Sequence, residues 1–322
     1  MRFNTPLLCA FILLNSSSII LSAKPLILQL DLGVRNVQFA GINWAEGHGW
    51  FADAGLDLEV RPWSVGVAET IASNPGTVGS IESGLFLAAV AEGKQLVAIG
   101  TMFQASPLGL ISLAESNIKT PSDLRGRVVA IHGDGREALA TALAYAKVDP
   151  SEVTVIKAEY GNKPLLRGEM DAKQGYVVDE FVKLQTEGHD VTMIPYRKYG
   201  HVAYSQVMFV SRETLESRRS DLIKFLSVAN RGWVAVAADV PAAAQYTIDH
   251  FAPELSFDYQ KRSLEMICEL VWAESEQTSA MSMDTWSINS ASYLKTHEGR
   301  RLPPIEEWVD FSLTTQADSG RE

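Results

Sequence analysis

Gln38 and Asn43 open the stretch "QFAGINWAEGHGWFADAGLDLEV", Trp44 follows them, and Glu82 stands in "GSIESG". A helix starting near Gln38 and Asn43 would point unpaired backbone N–H groups outward beside two side-chain amides. The indole of Trp44 would stack on a flat heterocycle. A carboxylate at Glu82 suits a ring nitrogen or an amino group and repels a sulfonate. Each residue also has a purely structural alternative. Gln38 would be a helix cap and Trp44 would pack against a sheet; Glu82 would sit at a helix N-terminus, whose positive end favours a carboxylate. Trp50 and Phe51, a turn and a half beyond Trp44, read as core. The glycine-rich turn "HGDGRE" (132–137) precedes a helix and suggests an anion site, with Arg136 as a clamp on a carboxylate or phosphate. It lacks the G-x-G-x-x-G pattern and Asp134 places a negative charge inside it, so a solvated Arg136 is the alternative.

The elements that would hold these residues alternate. "LILQLDL" (26–32) is a short apolar run that reads as a buried strand, and "LDLEV" (56–60) alternates like a second one. The helix between them ends at Gly55, which takes the left-handed conformation that closes a helix. This is a βαβ unit with parallel strands. "ETIASNP", "TVGSIES", "GLFLAAVAEG" and "QLVAIGTMF" continue the alternation with a helix, a strand, a helix capped by Gly93 and a strand, which predicts a parallel, doubly wound sheet over 26–104. "SPLGLISLAESNI" reads as an extended crossover. "KTPSDLRG" starts a helix with Thr120 as N-cap, Pro121 at N1 and Asp123 at N3, and "RVVAI" begins a second α/β unit. From "SQVMFVSRETL" (205–215) the chain is expected to be mostly helical and to return to clad the first unit. The expected division is residues 24–109 with 205–322 in one lobe and 110–204 in the other, joined by crossings near 105–112 and 203–210 that act as a hinge.

The 322 residues suffice for two α/β domains. Hydrophobic residues at 46%, charged residues at 21% and a net charge of −11 exclude a disordered chain, a multi-span membrane protein and a nucleic-acid partner. "MRFNTPLLCAFILLNSSSIILSAKP" joins Arg2, an apolar run from Leu7 to Leu14 and the small-residue site Leu21-Ser22-Ala23. It reads as a signal peptide cut after Ala23 and so predicts a periplasmic protein. "NSSS" interrupts the run too early for a membrane span, and no small residues precede Cys9 as a lipid anchor requires. Loss of Cys9 would leave Cys268, which reads as a buried small hydrophobe within an apolar helix. Two cysteines and six histidines, scattered, give no metal or iron-sulfur cage. His48 and His132 read as helix and strand-end residues.

"QFAGINWAEGHGWFADAGLDLEV", "VAEGKQLVAIGTMFQASPLGLISLAESNIKTPSDLRGRVVAI" and "LLRGEMDAKQGYVVDE" resemble the three signature blocks of the SsuA/ThiY type of solute-binding protein, a family that also resembles yeast pyrimidine synthases. The likeness spans roughly residues 30–215. Its opening "QFAG" block and "FQASPL" are more similar to the branch that binds thiamine-pyrimidine precursors than to the sulfonate or nitrate branches. The resemblance implies a type II periplasmic binding fold: two doubly wound α/β lobes close on a small molecule, which is passed to an ABC transporter permease in the inner membrane. It implies no catalysis and no cofactor.

Gln38 matches the polar position of the family's opening motif. Trp63, in "RPWSVG", stands where the family has a glycine-rich loop; it either narrows the pocket for an aromatic ligand or covers the domain edge. Gln104 and Ser106 begin the crossover and face the cleft if the hinge lies there. Tyr176 and Glu180 match the family's aromatic and acidic positions, which makes Tyr176 a ring-stacking residue and Glu180 a polar or hinge contact. Tyr199 belongs to a family-like loop, with loop packing as its alternative. The expected function is capture of a small heteroaromatic such as a thiamine pyrimidine precursor, with sulfonate, nitrate or riboflavin-like ligands as alternatives in the same fold. A pyrimidine-synthase-like enzyme would need the cysteine-rich iron-binding segment of those relatives, which this chain lacks. A G-x-S-x-G hydrolase elbow is absent as well. A ligand-sensing module that passes the signal to a receptor would use the same closed lobes.

Overall fold

The computed structural model describes residues 24–63, 66–159 and 161–319. The expected signal segment, residues 1–23, lies outside the described residues. The first part of the chain runs β1 (Leu26–Gln29), α1 (Ala40–Gly47), α2 (Trp50–Asp53), β2 (Leu58–Arg61), α3 (Val67–Ser73), β3 (Thr77–Ile81), α4 (Ser83–Ala91) and β4 (Leu96–Phe103). The second part runs β5 (Leu108–Leu113), β6 (Val128–Ile131), α5 (Arg136–Tyr145), β7 (Thr154–Lys157), α6 (Lys163–Leu166), β8 (Ala172–Tyr176), α7 (Val182–Thr186) and β9 (Val191–Pro195). The chain then returns through β10 (Ser205–Ser211) and ends in helices α8 (Arg212–Ser217), α9 (Arg219–Ala238), α10 (Val240–Phe251), α11 (Phe257–Val271), α12 (Met283–Thr296) and α13 (Phe311–Ser319).

Two five-stranded sheets result, in the orders β2-β1-β3-β10-β4 and β7-β6-β8-β5-β9. The βαβ expectation holds: β1 pairs parallel with β2 from Leu26↔Leu58 to Gln29↔Arg61, and Gly55 turns the chain with φ of +71°. The helix of that unit is broken, however. A 3-10 turn at Val37–Phe39 leads into α1, which ends at His48, and Gly49 with φ of +74° restarts the chain as α2.

Neither sheet is purely parallel. Residues 205–211, expected at the head of a helical segment, form β10, a fully buried strand antiparallel to both β3 and β4. The returning chain enters the first sheet from the far end, so its strand must run against its neighbours. Likewise the "crossover" at 108–113 is β5, antiparallel to β8 and β9 in the second sheet. Strands buried on both faces read as continuous apolar runs, and that signal does not separate them from buried helix. The chain therefore passes between the sheets twice, at 104–107 and at 200–204.

The terminal helices pack on the first sheet, α8 against β10 and α11 and α13 against β4, while α11 and α12 also reach α7 and α5 of the second part. Contact between α1 and α9 is close enough that a Cβ on Gly41 would meet the Trp233 ring at 2.7 Å, and one on Gly232 would meet the Gly41 carbonyl oxygen at 2.0 Å. Trp233, Trp286 and Trp308 are fully buried. Phe51 joins this core, whereas Trp50 is only half-buried and carries the Arg231 guanidinium 3.8 Å above its ring. Cys268 is half-buried, and burial pushes its thiol up to about 11. Thr120 and Asp123 form the expected capping box on a 3-10 turn, with Asp123 Oδ2 accepting from the Thr120 N–H at 2.8 Å. Among the described residues no helix is long and apolar enough to cross a membrane.

Candidate functional site

A cavity of about 490 Å³ opens at the carboxyl ends of β1 and β3, where open α/β sheets place their ligands. Its first-sheet wall includes Asp31, Trp63, Glu82, Leu85 and Gln206, and Tyr176 at the end of β8 comes from the second sheet. The cavity is thus bounded by both sheets. Its volume lies within the ordinary range for small-molecule sites.

Glu82 is the N-cap residue of α4, but its side chain makes no cap hydrogen bond. It accepts instead from the Ser205 hydroxyl on β10, so the purely structural capping role is not the one its carboxylate takes. Trp63 is 53% exposed and its backbone N–H donates to the Leu32 carbonyl at 2.9 Å, which holds the indole at the cavity rim. Tyr176 is fixed by its backbone N–H donating to Glu180 Oε2 at 2.8 Å. Glu180 also lies 3.9 Å from the buried Lys173 ammonium. Burial holds the Glu180 carboxyl above the usual range, with nearby Asp179 adding to the effect.

The remaining expected contacts go elsewhere. Asn43 is fully buried; its Oδ1 accepts from Arg35 Nε at 2.6 Å and its Nδ2 donates to the Asn36 carbonyl at 3.2 Å. Gln38 is buried in the turn before α1, outside the cavity wall, with Oε1 unpartnered in the protein. Trp44 stacks on His48 at 4.4 Å and meets the edge of Tyr246 at 5.6 Å, on the α10 side of the helix. Gln104 braces the crossing: its Nε2 donates to the Gln277 carbonyl at 2.6 Å and its Oε1 accepts from the Glu274 N–H at 2.9 Å. Arg136 is exposed on the first turn of α5. Tyr199 packs edge-on against Tyr145 at 5.6 Å. Ser106 lines a smaller neighbouring cavity that shares Glu82 with the large one.

Among the wall residues that escaped the sequence reading are Asp31 and Gln206. Asp31 follows β1, the same strand-exit position that singled out Glu82, and that rule would have found it. Its Oδ1 is sealed from solvent without a partner, and its Oδ2 accepts from Gln206 Nε2 at 3.3 Å. Burial raises its carboxyl from the usual range to about 7. Gln206 lies inside β10 with a φ of +55°, the left-handed region, and its Oε1 accepts from the buried Ser80 hydroxyl. No sequence signal marks it, because its role depends on the antiparallel insertion of β10.

The charge in the cavity is one-sided. Asp31, Glu69, Glu82 and Glu92 contribute carboxylates, while Lys94, the lone cation among the described lining residues, is engaged by Glu69 at 3.0 Å and by Glu92 at 2.5 Å. Such a wall attracts N–H donors and cations and repels oxyanions. The described residues hold no cluster of His, Cys, Asp and Glu able to bind a metal ion.

The family model described as "NMT1/THI5 like" matches residues 36–244. A formylaminopyrimidine-binding protein from Halalkalibacterium halodurans is 22% identical over 284 residues, covering 83% of this chain and 84% of that protein. Among solved structures, the periplasmic aliphatic sulphonate binding protein SsuA from Escherichia coli superposes with a TM-score of 0.71 at 15% identity, covering 89% of this chain and 92% of that one. The desulfurization enzyme DSZB superposes with a TM-score of 0.65 at 13% identity, over 92% of this chain and 99% of that one. These likenesses establish the periplasmic-binding-protein fold, which transport proteins and an enzyme share.

Proposed function

Because the chain belongs to the NMT1/THI5-like family, we propose that it is a solute-binding protein that captures a small heteroaromatic with amino or ring N–H groups, of the formylaminopyrimidine class, between its two sheets. It is exported to the periplasm, hands the ligand to the permease of an ABC importer and performs no chemistry on it.

One observation carries this reading: the cavity between the sheets pairs aromatic faces, Trp63 and Tyr176, with the carboxylates Asp31 and Glu82, and the one lysine among its described lining residues is already engaged by two other carboxylates. A flat ring gains stacking from the first pair and charge-assisted hydrogen bonds from the second. The name of the Halalkalibacterium halodurans relative points to the same class. A sulfonate, the ligand class in the name of the Escherichia coli structure, would meet Asp31 and Glu82, with Glu69 and Glu92 paired to Lys94 and no uncommitted cation among the described lining residues. Trp63 and Tyr176 come from different sheets, so a ligand touching both binds the closed arrangement better than the open one and shifts the population toward closure.

Isothermal calorimetry with formylaminopyrimidine, hydroxymethylpyrimidine, thiamine, riboflavin, taurine and nitrate tests the proposal. Binding of a pyrimidine, with no heat from taurine or nitrate, is the expected outcome. Binding of the sulfonate or nitrate alone would overturn it.

A further inference from the structure

Beyond Glu82 lies a second, small cavity of about 30 Å³ that the pyrimidine reading leaves unused. Its walls come from five places in the chain. Glu82 immediately precedes α4, Ser106 lies on the outgoing crossing, Glu137 is on α5, His201 is on the returning crossing and Asn289 is on α12. Glu82 also lines the large cavity, so the two spaces share a wall residue.

Three of these residues each carry a polar atom that is buried without a partner in the protein: Glu137 Oε1, His201 Nδ1 and Asn289 Oδ1. The residues themselves are only 6%, 8% and 1% exposed. Buried polar groups in folded proteins are nearly always hydrogen-bonded, and each exception calls for a reason. Three exceptions around one space, from three separate segments, have a common reason if the space takes an occupant. The space exceeds the roughly 10–15 Å³ that one water-sized group needs, so it admits one or two non-hydrogen atoms. Two of the three atoms are a carboxyl oxygen and an amide oxygen, which accept hydrogen bonds, and the imidazole nitrogen accepts in one of its tautomers.

We infer that this cavity is the inner compartment of the ligand site and takes a single N–H-donating group, an amino substituent of the bound molecule. The inference rests on the cleft between the sheets being the ligand site. The acceptor-rich wall rejects a carboxylate or sulfonate at this point and leaves a methyl group without hydrogen bonds. Protonation behaviour agrees. Burial lifts the Glu137 carboxyl to about 7, against donation from Ser292 and Asn289, and burial holds His201 down near 4. Near neutral pH the imidazole is uncharged, and a donor that favours the ionised Glu137 would be welcomed. Glu137 belongs to the second sheet's helices and Asn289 to those of the first, so an amino group held by both adds to the contact that already joins the two units there.

The test is a double comparison by calorimetry. Formylaminopyrimidine and its analogue lacking the ring amino group are titrated into the wild-type protein and into Asn289→Leu, a near-isosteric change that removes the unpartnered acceptor together with the amide that donates to Glu137. Loss of the amino group is expected to weaken binding at least tenfold in the wild type and less than twofold in the variant. Should Asn289→Leu fail to fold, Glu137→Leu makes the same comparison. An equal penalty in wild type and variant, or a penalty below twofold in the wild type, would overturn the compartment while leaving the pyrimidine reading intact. If neither pyrimidine binds the wild type, that reading fails by itself, and a thermal-shift arm decides the compartment. Ammonium chloride, compared with tetramethylammonium chloride at equal ionic strength, is then expected to raise the wild-type midpoint and not that of the variant. No difference between the two salts rejects it.

Discussion

Gln206 sits in the left-handed region at φ +55° and brings its Nε2 to 3.3 Å from Oδ2 of Asp31, across 175 positions of chain. A non-glycine residue held there inside a buried strand is uncommon and strained. The strain aims the amide at a carboxylate whose other oxygen is sealed without a partner. Asp31 is thereby held in the cavity wall with one carboxyl oxygen unpartnered in the protein.

Asp31→Asn follows from that relationship. The folded carboxyl titrates near 7, raised by burial above its ordinary 3.8. A raised acid adds stability that is full below about pH 4 and is lost as pH climbs through 7, because the folded state must surrender its proton. The unliganded wild type is therefore expected to lose stability between about pH 4 and 8. The amide variant should flatten that slope and recover on the order of a few kcal/mol at pH 8, measured by urea unfolding across pH. Ligand affinity should fall at least tenfold in the same variant, since the charge-assisted bond is gone.

Glu82 and Ser205 separate recognition from support. Glu82→Gln is expected to weaken pyrimidine binding by roughly 1.5–3 kcal/mol, the worth of a hydrogen bond to a charged group. Ser205→Ala removes only the hydroxyl that Glu82 accepts from, and should cost about 1 kcal/mol or less in affinity. Calorimetry at pH 8 distinguishes them; equal losses would return Glu82 to a structural role.

Aromatic substitutions should divide by location. Trp63→Ala, at an exposed rim position, is expected to leave the unfolding midpoint nearly unchanged and to weaken binding by about 1 kcal/mol through lost stacking. Trp44→Phe, at a ring packed on His48 and Tyr246, should leave affinity untouched. Ligand-induced fluorescence change lost in the first and kept in the second is the expected signature.

The α1–α9 contact gives a stability prediction independent of any ligand. In Gly232→Ala the new Cβ would stand 2.0 Å from the Gly41 carbonyl oxygen, a backbone atom that cannot swing aside. Overpacking of this kind costs about 1–3 kcal/mol and at times more, read as a lower denaturant midpoint. An unchanged midpoint would mean that the two helices are not this close.

The opening βαβ unit, the turn at Gly55, the capping box at Thr120 and the alternation that makes an α/β fold were all legible in the sequence, because each depends on neighbours within a few residues. Glu82, Trp63 and Tyr176 were singled out from strand-exit position and family resemblance, and the cavity wall contains all three. Local pattern failed where an apolar run has two readings: 205–211 looked like the start of a helical segment and is a strand, since only the packing of the whole first sheet makes that place available. It also failed for Asn43, Trp44 and Gln104, polar or aromatic residues that the fold turns toward internal partners. Asp31 held by Gln206, and the compartment formed by Glu82, Glu137, His201 and Asn289, join residues that no sequence window spans. Hydrogen bonding and burial between distant segments act only after the chain has closed on itself, so tertiary structure alone decided them.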